Sequence, residues 1–400
     1  MKILLVNDYA TPTAGAERIT RHLRDALRGR GHEVRTFASG AELIAGESFA
    51  DARCFGTTTR LQTLSSAVNP SAVRALRREL RAFSPDVVQV QMFLWQLSPL
   101  ILPLLRDVPS IYYTMTFKPV CPTGLKWLPG GAPCVDRAGA ACLRNRCVTM
   151  AGFGPLMLQR YLWRRGRHAL SAVVGCSDAV RRALEADGVA VRDVIWPGTP
   201  VADSRPALDG PPTVTYAGRL AREKGVDVLV RAFRLVRERR PDARLLIAGT
   251  GPEDPALRAL VARLGLSDAV EMPGQLENEA LDALLGRSWV HAVPSRWPEP
   301  FGLTATEAMM RGIAVVASAI GGLAESLEHE VTGLRVEAGD EAALAEALSR
   351  PLADRALAER LGAAGRRRAL ALFTIEQSVD RFESLYDALL HPEPMHAHAV

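Results

Sequence analysis

The chain opens on an apolar run, Ile3 to Val6, that breaks into polar residues at Asn7 and Asp8. An uninterrupted apolar run suits a strand buried on both faces, as in a parallel sheet. Gly15 to Arg28 then reads as an amphipathic helix, and the glycines at 29 and 31 end it. Glu33 to Ala38 is a second strand, which completes a β-α-β opening with a glycine at the helix start. The same alternation continues through strands at Asp86–Val90, Pro109–Tyr113, Ala172–Gly175 and Val191–Trp196. A helix follows the third of these, capped by Ser177 or Asp178.

Residues 197–212 change character, with Pro-Gly-Thr-Pro, Asp-Ser-Arg-Pro and Asp-Gly-Pro-Pro in succession. Such a stretch reads as an interdomain linker. The alternation restarts beyond it, with strands at Thr213–Ala217, Arg244–Ala248, Ala269–Met272, Val290–Val293, Ile313–Ala317 and Gly333–Val336. Helices at Val226–Arg237 and Glu253–Leu264 lie between them, and Glu341–Leu370 (interrupted) and Ile375–Leu390 close the chain before a frayed tail from His391. The fold class this predicts is α/β, with two doubly wound domains, 1–196 and 213–373, facing across a cleft. Ligands of open α/β sheets bind beyond the carboxyl ends of the strands, so the cleft is where a site is expected. Architecture alone does not give the reaction.

Composition narrows the class without naming the chemistry. Of 400 residues, 48% are hydrophobic and 23% charged, which excludes a disordered, collagen-like or coiled-coil chain. A net charge of +5 over this length is a weak bias, compatible with an anionic ligand or membrane surface and no pointer to nucleic acid. The apolar run at the N-terminus is too short for a signal peptide. The longest candidate for a membrane span, Leu94–Leu105, carries Gln96 and two prolines and falls short of the roughly 18 apolar residues needed. These features predict a cytoplasmic protein.

Three segments could carry chemistry. The first is Pro294 to Ala308, which follows a buried strand, opens a helix, and holds Glu299 and Glu307 eight positions apart. On a continuous helix that spacing is about two turns and puts both carboxylates on one side. Pro300 suits a first helical turn. Gly302 and Leu303 fall where free backbone N–H groups meet a phosphate, and carboxylates are the usual acceptors for sugar hydroxyls. The second segment runs from Ala217 to Val226, where a strand ends at Gly218 and Arg219 and Lys224 precede a helix. Two cations beside a helix N-terminus suit a pyrophosphate. The third is Thr13-Ala14-Gly15 between the first strand and first helix, where Gly15 lets the backbone approach a ligand closely.

Together the segments resemble the family 4 glycosyltransferases, a large retaining family with the two-Rossmann GT-B fold. The likeness runs over nearly the whole chain and is strongest from Val214 to about Asp340. Glu299 and Glu307 match the family's glutamate-x7-glutamate motif, Gly218 to Gly225 its Gly-Arg-Leu-x3-Lys-Gly motif, and Ala14-Gly15-Ala16-Glu17 its Gly-Gly-x-Glu loop with the first glycine replaced. The resemblance implies a retaining transfer of sugar from a nucleotide-diphosphate donor, UDP- or GDP-linked, to a hydroxyl on a glycan, lipid-linked or small-molecule acceptor. It implies that Arg219 and Lys224 bind the donor diphosphate, and that Glu299 holds donor-sugar hydroxyls. Glu307 would hold the ribose, and the Phe301, Gly302, Leu303 and Thr304 backbone would lie near sugar and phosphate. Gly15 would face the phosphates from the other domain, and the helix at 374–390 would cross back to the first domain. No cofactor is required on this reading, because no metal-ligand aspartate pair appears in either loop. Two other readings share the fold: a nucleotide-sugar-binding protein that has lost transfer, and a nucleotide-sugar epimerase. The glutamate pair with its Pro-Phe-Gly insert speaks against the epimerase.

Several positions depart from the family pattern or stand outside it. Many members carry histidine-x-histidine after the third strand, where this chain has Gln89-Val90-Gln91, and a further histidine where it has Tyr113-Thr114-Met115-Thr116. Either Thr114, Thr116 or a backbone carbonyl fills that role, or this donor does not need it, or the activity is weak. A glycine-rich loop at 118–150 holds Cys121, Cys134, Cys142 and Cys147, which fit either a structural zinc or unligated thiols. Leu158 to His168 mixes basic residues with aromatics, as a helix face resting on an anionic membrane would, or as a solvated helix with its aromatics turned inward. Gly249-Thr-Gly251-Pro lacks the third glycine of a dinucleotide fingerprint, which argues against an NAD oxidoreductase.

Overall fold

The computed structural model describes residues 1–11, 15–42 and 46–392. Thr13 and Ala14 of the Gly15 loop, and the last eight residues of the expected tail, lie outside the described residues. The chain divides into two compact units. The first comprises Met1–Leu125, Asp136–Gly198 and the chain from Ile375 onward, and the second comprises Lys126–Val135 and Thr199–Thr374. Residues 126–135 of the cysteine loop thus group with the second unit, where Pro129 O accepts from Arg222 Nη1 at 3.0 Å.

In the first unit the elements run β1 (Lys2–Asn7), α1 (Gly15–Gly29), β2 (Glu33–Ser39), β3 (Ala52–Cys54), α2 (Gln62–Ala67), α3 (Pro70–Phe83), β4 (Val87–Val90), β5 (Ser110–Thr114), α4 (Ala140–Arg144), α5 (Met150–Gly166), β6 (Ala172–Gly175), α6 (Asp178–Glu185) and β7 (Asp193–Val194). All pairings are parallel, in the order β3-β2-β1-β4-β5-β6-β7. The apolar runs of β1 and β4 are buried on both faces, as central parallel strands must be. The expected strand Val191–Trp196 shrinks to two residues, because only Asp193 and Val194 pair with β6 before the chain turns off at Pro197. The C-terminal helix Ile375–Leu390 packs on this unit. Its Phe382 meets Tyr113 edge-on at 5.0 Å, its Tyr386 hydroxyl donates to Gln89, and its Arg381 pairs with Asp193 at 2.8 Å.

The second unit holds β8 (Thr213–Ala217), α7 (Val226–Arg239), β9 (Arg244–Ala248), α8 (Asp254–Arg263), β10 (Val270–Gly274), α9 (Asn278–Gly286), β11 (Val290–Val293), α10 (Leu303–Met310), β12 (Ala314–Ser318), α11 (Leu323–Ser326), β13 (Leu334–Val336), α12 (Glu341–Ala353) and α13 (Arg355–Leu372). Its sheet is parallel throughout, in the order β10-β9-β8-β11-β12-β13. Residues 200–212 form no regular element, yet Leu208 is buried in this unit's core. In each sheet the strand order reverses between two central strands, β1 and β4 or β8 and β11. A crevice forms at such a point beyond the carboxyl ends, because the two connections leave in opposite directions.

The basic-aromatic stretch lies on α5. Trp163 turns inward against Tyr112 and Phe93, and Arg160 pairs with Asp187 at 2.6 Å, whereas Leu158, Tyr161, Arg164 and Arg165 stay on the outside. Among the described residues no helix is long and apolar enough to cross a membrane.

Candidate functional site

The second unit's reversal point carries both chemistry-bearing segments. Gly218 to Lys224 leaves the carboxyl end of β8, and Pro294 to Gly302 leaves that of β11. Their backbones are in contact. Gly225 has φ +67°, and a Cβ there would stand 2.1 Å from Pro294 O, so only glycine fits. A third segment closes in from β12: Gly322 N donates to Glu299 O at 2.7 Å, and a Cβ on Gly322 would lie 2.2 Å from Pro300 O. Arg296 locks the first two together, its amide donating to Glu223 O at 2.9 Å and its guanidinium pairing with Asp227 at 2.9 Å.

This framework brings Lys224 and Glu299, 75 positions apart, to 2.8 Å between Nζ and Oε1. The Ser295 hydroxyl donates to the same carboxylate oxygen, and Lys224 Nζ sits 5.3 Å from the centre of the Trp297 ring. Burial by itself pushes the Glu299 carboxyl up, but the charge and hydrogen bond of Lys224 and the hydroxyl of Ser295 outweigh it, and the net shift is below the usual carboxylate range. Glu299 is therefore ionised at neutral pH, though its side chain is only 8% exposed. Arg219 pairs with Glu223 and is far more open, with 58% of its side chain exposed.

The helices that begin here are uncapped by side chains. Gly225 precedes α7 and Gly302 precedes α10, and neither offers an oxygen to the first N–H groups. Asn69, Thr149, Ser177, Asp340 and Asp354 supply that oxygen to other helices, while α2, α4, α8, α9 and α11 also start without one. At α10 the half-buried Leu303 and Thr304 bring their N–H groups to the same edge as Lys224 and Glu299. An uncapped N-terminus beside cations favours an anion with several oxygens. The Phe301 side chain is not at the surface of the site. It is buried, edge-on to Phe373 at 5.5 Å, and anchors the backbone that carries Gly302.

The helical-turn argument for the two glutamates does not hold. α10 starts at Leu303, so Glu299 and Pro300 precede it, and the αL residue Gly302 breaks the period. Glu307 is on the helix and half-buried, and Arg311 Nη1 donates to its carbonyl at 2.9 Å. The cysteine loop brings no metal-ligand set together. Among the described residues no three His, Cys, Asp or Glu side chains are placed to hold a metal, and Cys121, Cys134, Cys142 and Cys147 form no disulfide.

The first unit's reversal point holds residues that sequence reasoning missed. Asp8, at the end of β1, is fully buried and accepts the amides of Trp95, Gln96 and Leu97 at 2.7–2.8 Å. Burial pushes its carboxyl up to about 7 against the pull of those amides and of Lys118. Lys118, also buried and pushed down to about 8, donates to Pro122 O at 2.6 Å and lies over the Trp95 ring. The glutamines at the histidine positions are engaged, Gln89 by Tyr386 and Gln91 by Thr20 at 2.8 Å. The Thr114 hydroxyl is buried without a hydrogen-bond partner. Gly15 is the first residue of α1 and half-buried.

Comparison with known proteins decides the class. A model described as Glycosyltransferase Family 4 matches residues 13–203, and one described as Glycosyl transferases group 1 matches residues 202–368. The chain belongs to the family 4, group 1 glycosyltransferases. This glycosyltransferase is 28% identical to a glycogen synthase of Mycobacterium tuberculosis, over 93% of this chain and 91% of that one. It is 36% identical to a GDP-mannose-dependent phosphatidylinositol monomannoside mannosyltransferase of the same organism, over 39% of this chain and 42% of the other. Among solved structures, the sucrose-phosphate synthase of Thermosynechococcus elongatus superposes with a TM-score of 0.74 at 25% identity, over 97% of this chain and 99% of that one. The glycosyltransferase thus has the GT-B fold, built on its seven- and six-stranded parallel sheets.

Proposed function

We propose that the β8/β11 edge of the second unit binds a nucleoside-diphosphate sugar and that the enzyme transfers the sugar, with retention, to a hydroxyl acceptor. The observation that carries this reading is the Lys224–Glu299 pair, a cation and an ionised carboxylate 2.8 Å apart beside two uncapped helix starts. Lys224, Arg219 and the Leu303 and Thr304 amides hold the diphosphate. Glu299 accepts from donor-sugar hydroxyls, and Glu307 from the ribose. The charge that develops on the departing diphosphate is met by groups already in place, which is where an enzyme of this kind gains most of its rate. The departing phosphate takes the acceptor's proton on the same face of the sugar, so no side-chain nucleophile is needed. GDP-mannose is the donor named for one relative, which supports a nucleoside-diphosphate sugar here. The outer face of α5, with Leu158, Tyr161, Arg164 and Arg165, suits peripheral contact with an anionic lipid surface.

The test is release of nucleoside diphosphate from a panel of UDP-, GDP- and ADP-sugars, with mixed hydroxyl acceptors, by the parent and by Glu299→Gln. One donor should turn over, and Glu299→Gln should slow it about 100-fold, the size expected when a charged hydrogen-bond partner is lost. Turnover of no donor, or turnover that Glu299→Gln leaves unchanged, would contradict the assignment.

A further inference from the structure

The far end of α10 opens on a cleft of about 390 Å³ that the donor site does not use. Its walls come from the connector (Ser204 and Arg205), the end of α10 (Arg311) and α13 (Glu359, Arg366 and Arg367). Four arginines there meet one carboxylate, and that carboxylate is already paired with Arg355 at 2.8 Å. Arg311 has a partner in Asp282, Nε to Oδ1 at 3.1 Å. The other three form no ion pair among the described residues, though the charge of Glu359 is felt at Arg205. Arg205 gives Nη1 to Pro206 O at 2.8 Å while its buried Nε has no partner. Arg366 gives one nitrogen to Ala202 O at 2.7 Å, and Arg367 is exposed.

A run of arginines on a helix is usually a solvated face. Arg205 does not fit that description, since it is half-buried and stays charged under any ordinary condition. Burial pulls its pKa below the usual arginine value, with Glu359 opposing and Arg355 adding to the pull. A guanidinium held in this way is under-compensated, and an anion with several oxygens relieves it through parallel N–H donors. The cleft is shallow and open to solvent, with room beside the arginines for a body beyond the anion itself.

We propose that this cleft binds a small phosphate monoester, with Arg205, Arg366 and Arg367 as its ligands. The site and the donor edge lie at opposite ends of α10, about 12 Å apart at the ordinary helical rise. Arg311 lines the cleft and donates to the backbone carbonyl of Glu307 one turn back along α10.

Calorimetric titration with inorganic phosphate tests the site independently of turnover. The parent and Lys224→Ala should both bind, while Arg205→Gln and the surface variant Arg367→Ala should each bind about tenfold more weakly, as for a lost charge-assisted contact. Melting curves verify that Arg205→Gln is folded, and Arg367→Ala keeps the test alive if it is not. Sedimentation with phosphatidylcholine vesicles, with and without phosphatidic acid, separates a soluble phosphate from a lipid headgroup. Phosphate binding, or phosphatidic-acid-dependent sedimentation, that Arg367→Ala weakens upholds the site and names the source. No binding in either arm, binding indifferent to both arginine variants, or binding lost in Lys224→Ala alone would overturn it. None of these readings depends on whether the donor assignment survives.

Discussion

The two reversal points differ in what they do with their polar groups. At β1/β4 the buried carboxylate of Asp8 is filled by three amides of the Trp95–Leu97 turn, and Gln89 and Gln91 are held by Tyr386 and Thr20. At β8/β11 a lysine and a glutamate face each other beside helix starts that no N-cap side chain caps, and an arginine stands largely in the open. The topology is the same, so it makes a crevice in both units but does not decide its use. At β1/β4 backbone amides satisfy the buried carboxylate, while the Gln89 and Gln91 amide nitrogens and the Thr114 hydroxyl stay buried without a partner; at β8/β11 the charged groups pair with one another at a more open edge, where a ligand can compete for them.

The sharpest way to break the comparison is at a glycine. Gly225→Ala puts a methyl 2.1 Å from Pro294 O in a backbone conformation at φ +67°, and should cost several kcal/mol because both atoms belong to rigid loops. Gly188 in the first unit has φ +76° with nothing within 4 Å, so Gly188→Ala should cost only about 1 kcal/mol. Urea unfolding of the two variants measures both. Equal costs would mean that the β8/β11 loops are free to move apart.

Effects of pH should have opposite signs in the two units. The Asp8 carboxyl is raised to about 7 when folded, so its contribution to stability is complete below its ordinary pKa of about 4 and is lost as the pH rises through 7. His291, buried between strands with Thr215 Oγ1 3.0 Å from Nδ1, is pushed down to about 4. Its contribution is present above about 6.5 and is lost as the pH falls through 4. Each effect should be a few kcal/mol at most. Hydrogen exchange at several pH values should show the first sheet loosening toward neutrality and the second toward acid. Asp8→Asn and His291→Gln should each flatten the slope in their own unit only.

Much of this frame can be read from residue order. Ala172–Gly175, Thr213–Ala217, Arg244–Ala248 and Val290–Val293 are strands with the bounds their apolar runs suggest, because a central parallel strand needs apolar residues on both faces. The short edge strands β3 and β7 escape or distort such a reading, since two or three residues give no period. The motif positions of the site were legible, but their arrangement was not. The eight-position spacing of Glu299 and Glu307 looks like two helical turns until Gly302 takes φ +98°. Pairing of Lys224 with Glu299 joins segments 75 positions apart, which no local pattern records. Asp8 looks like any polar residue after a strand. Only the fold shows three amides converging on it.

Smaller effects sharpen the donor edge itself. Lys224→Ala should weaken nucleoside-diphosphate binding by about 1.5–3 kcal/mol, as for a charged hydrogen bond in a partly buried setting. Arg219→Ala should cost less, about 0.5–1.5 kcal/mol, because water screens an exposed guanidinium. Competition titrations rank the two. A larger loss at Arg219 would shift the phosphate toward the open side of the loop.

The central claim is that the β8/β11 edge holds the diphosphate of the donor. Calorimetric titration of UDP, GDP and ADP into the parent and into Lys224→Ala tests it most directly. The account predicts that at least one nucleotide binds the parent and binds Lys224→Ala at least about tenfold more weakly, the lower end of what a lost charged hydrogen bond costs. Equal affinity in the two proteins, with both folded, would contradict it.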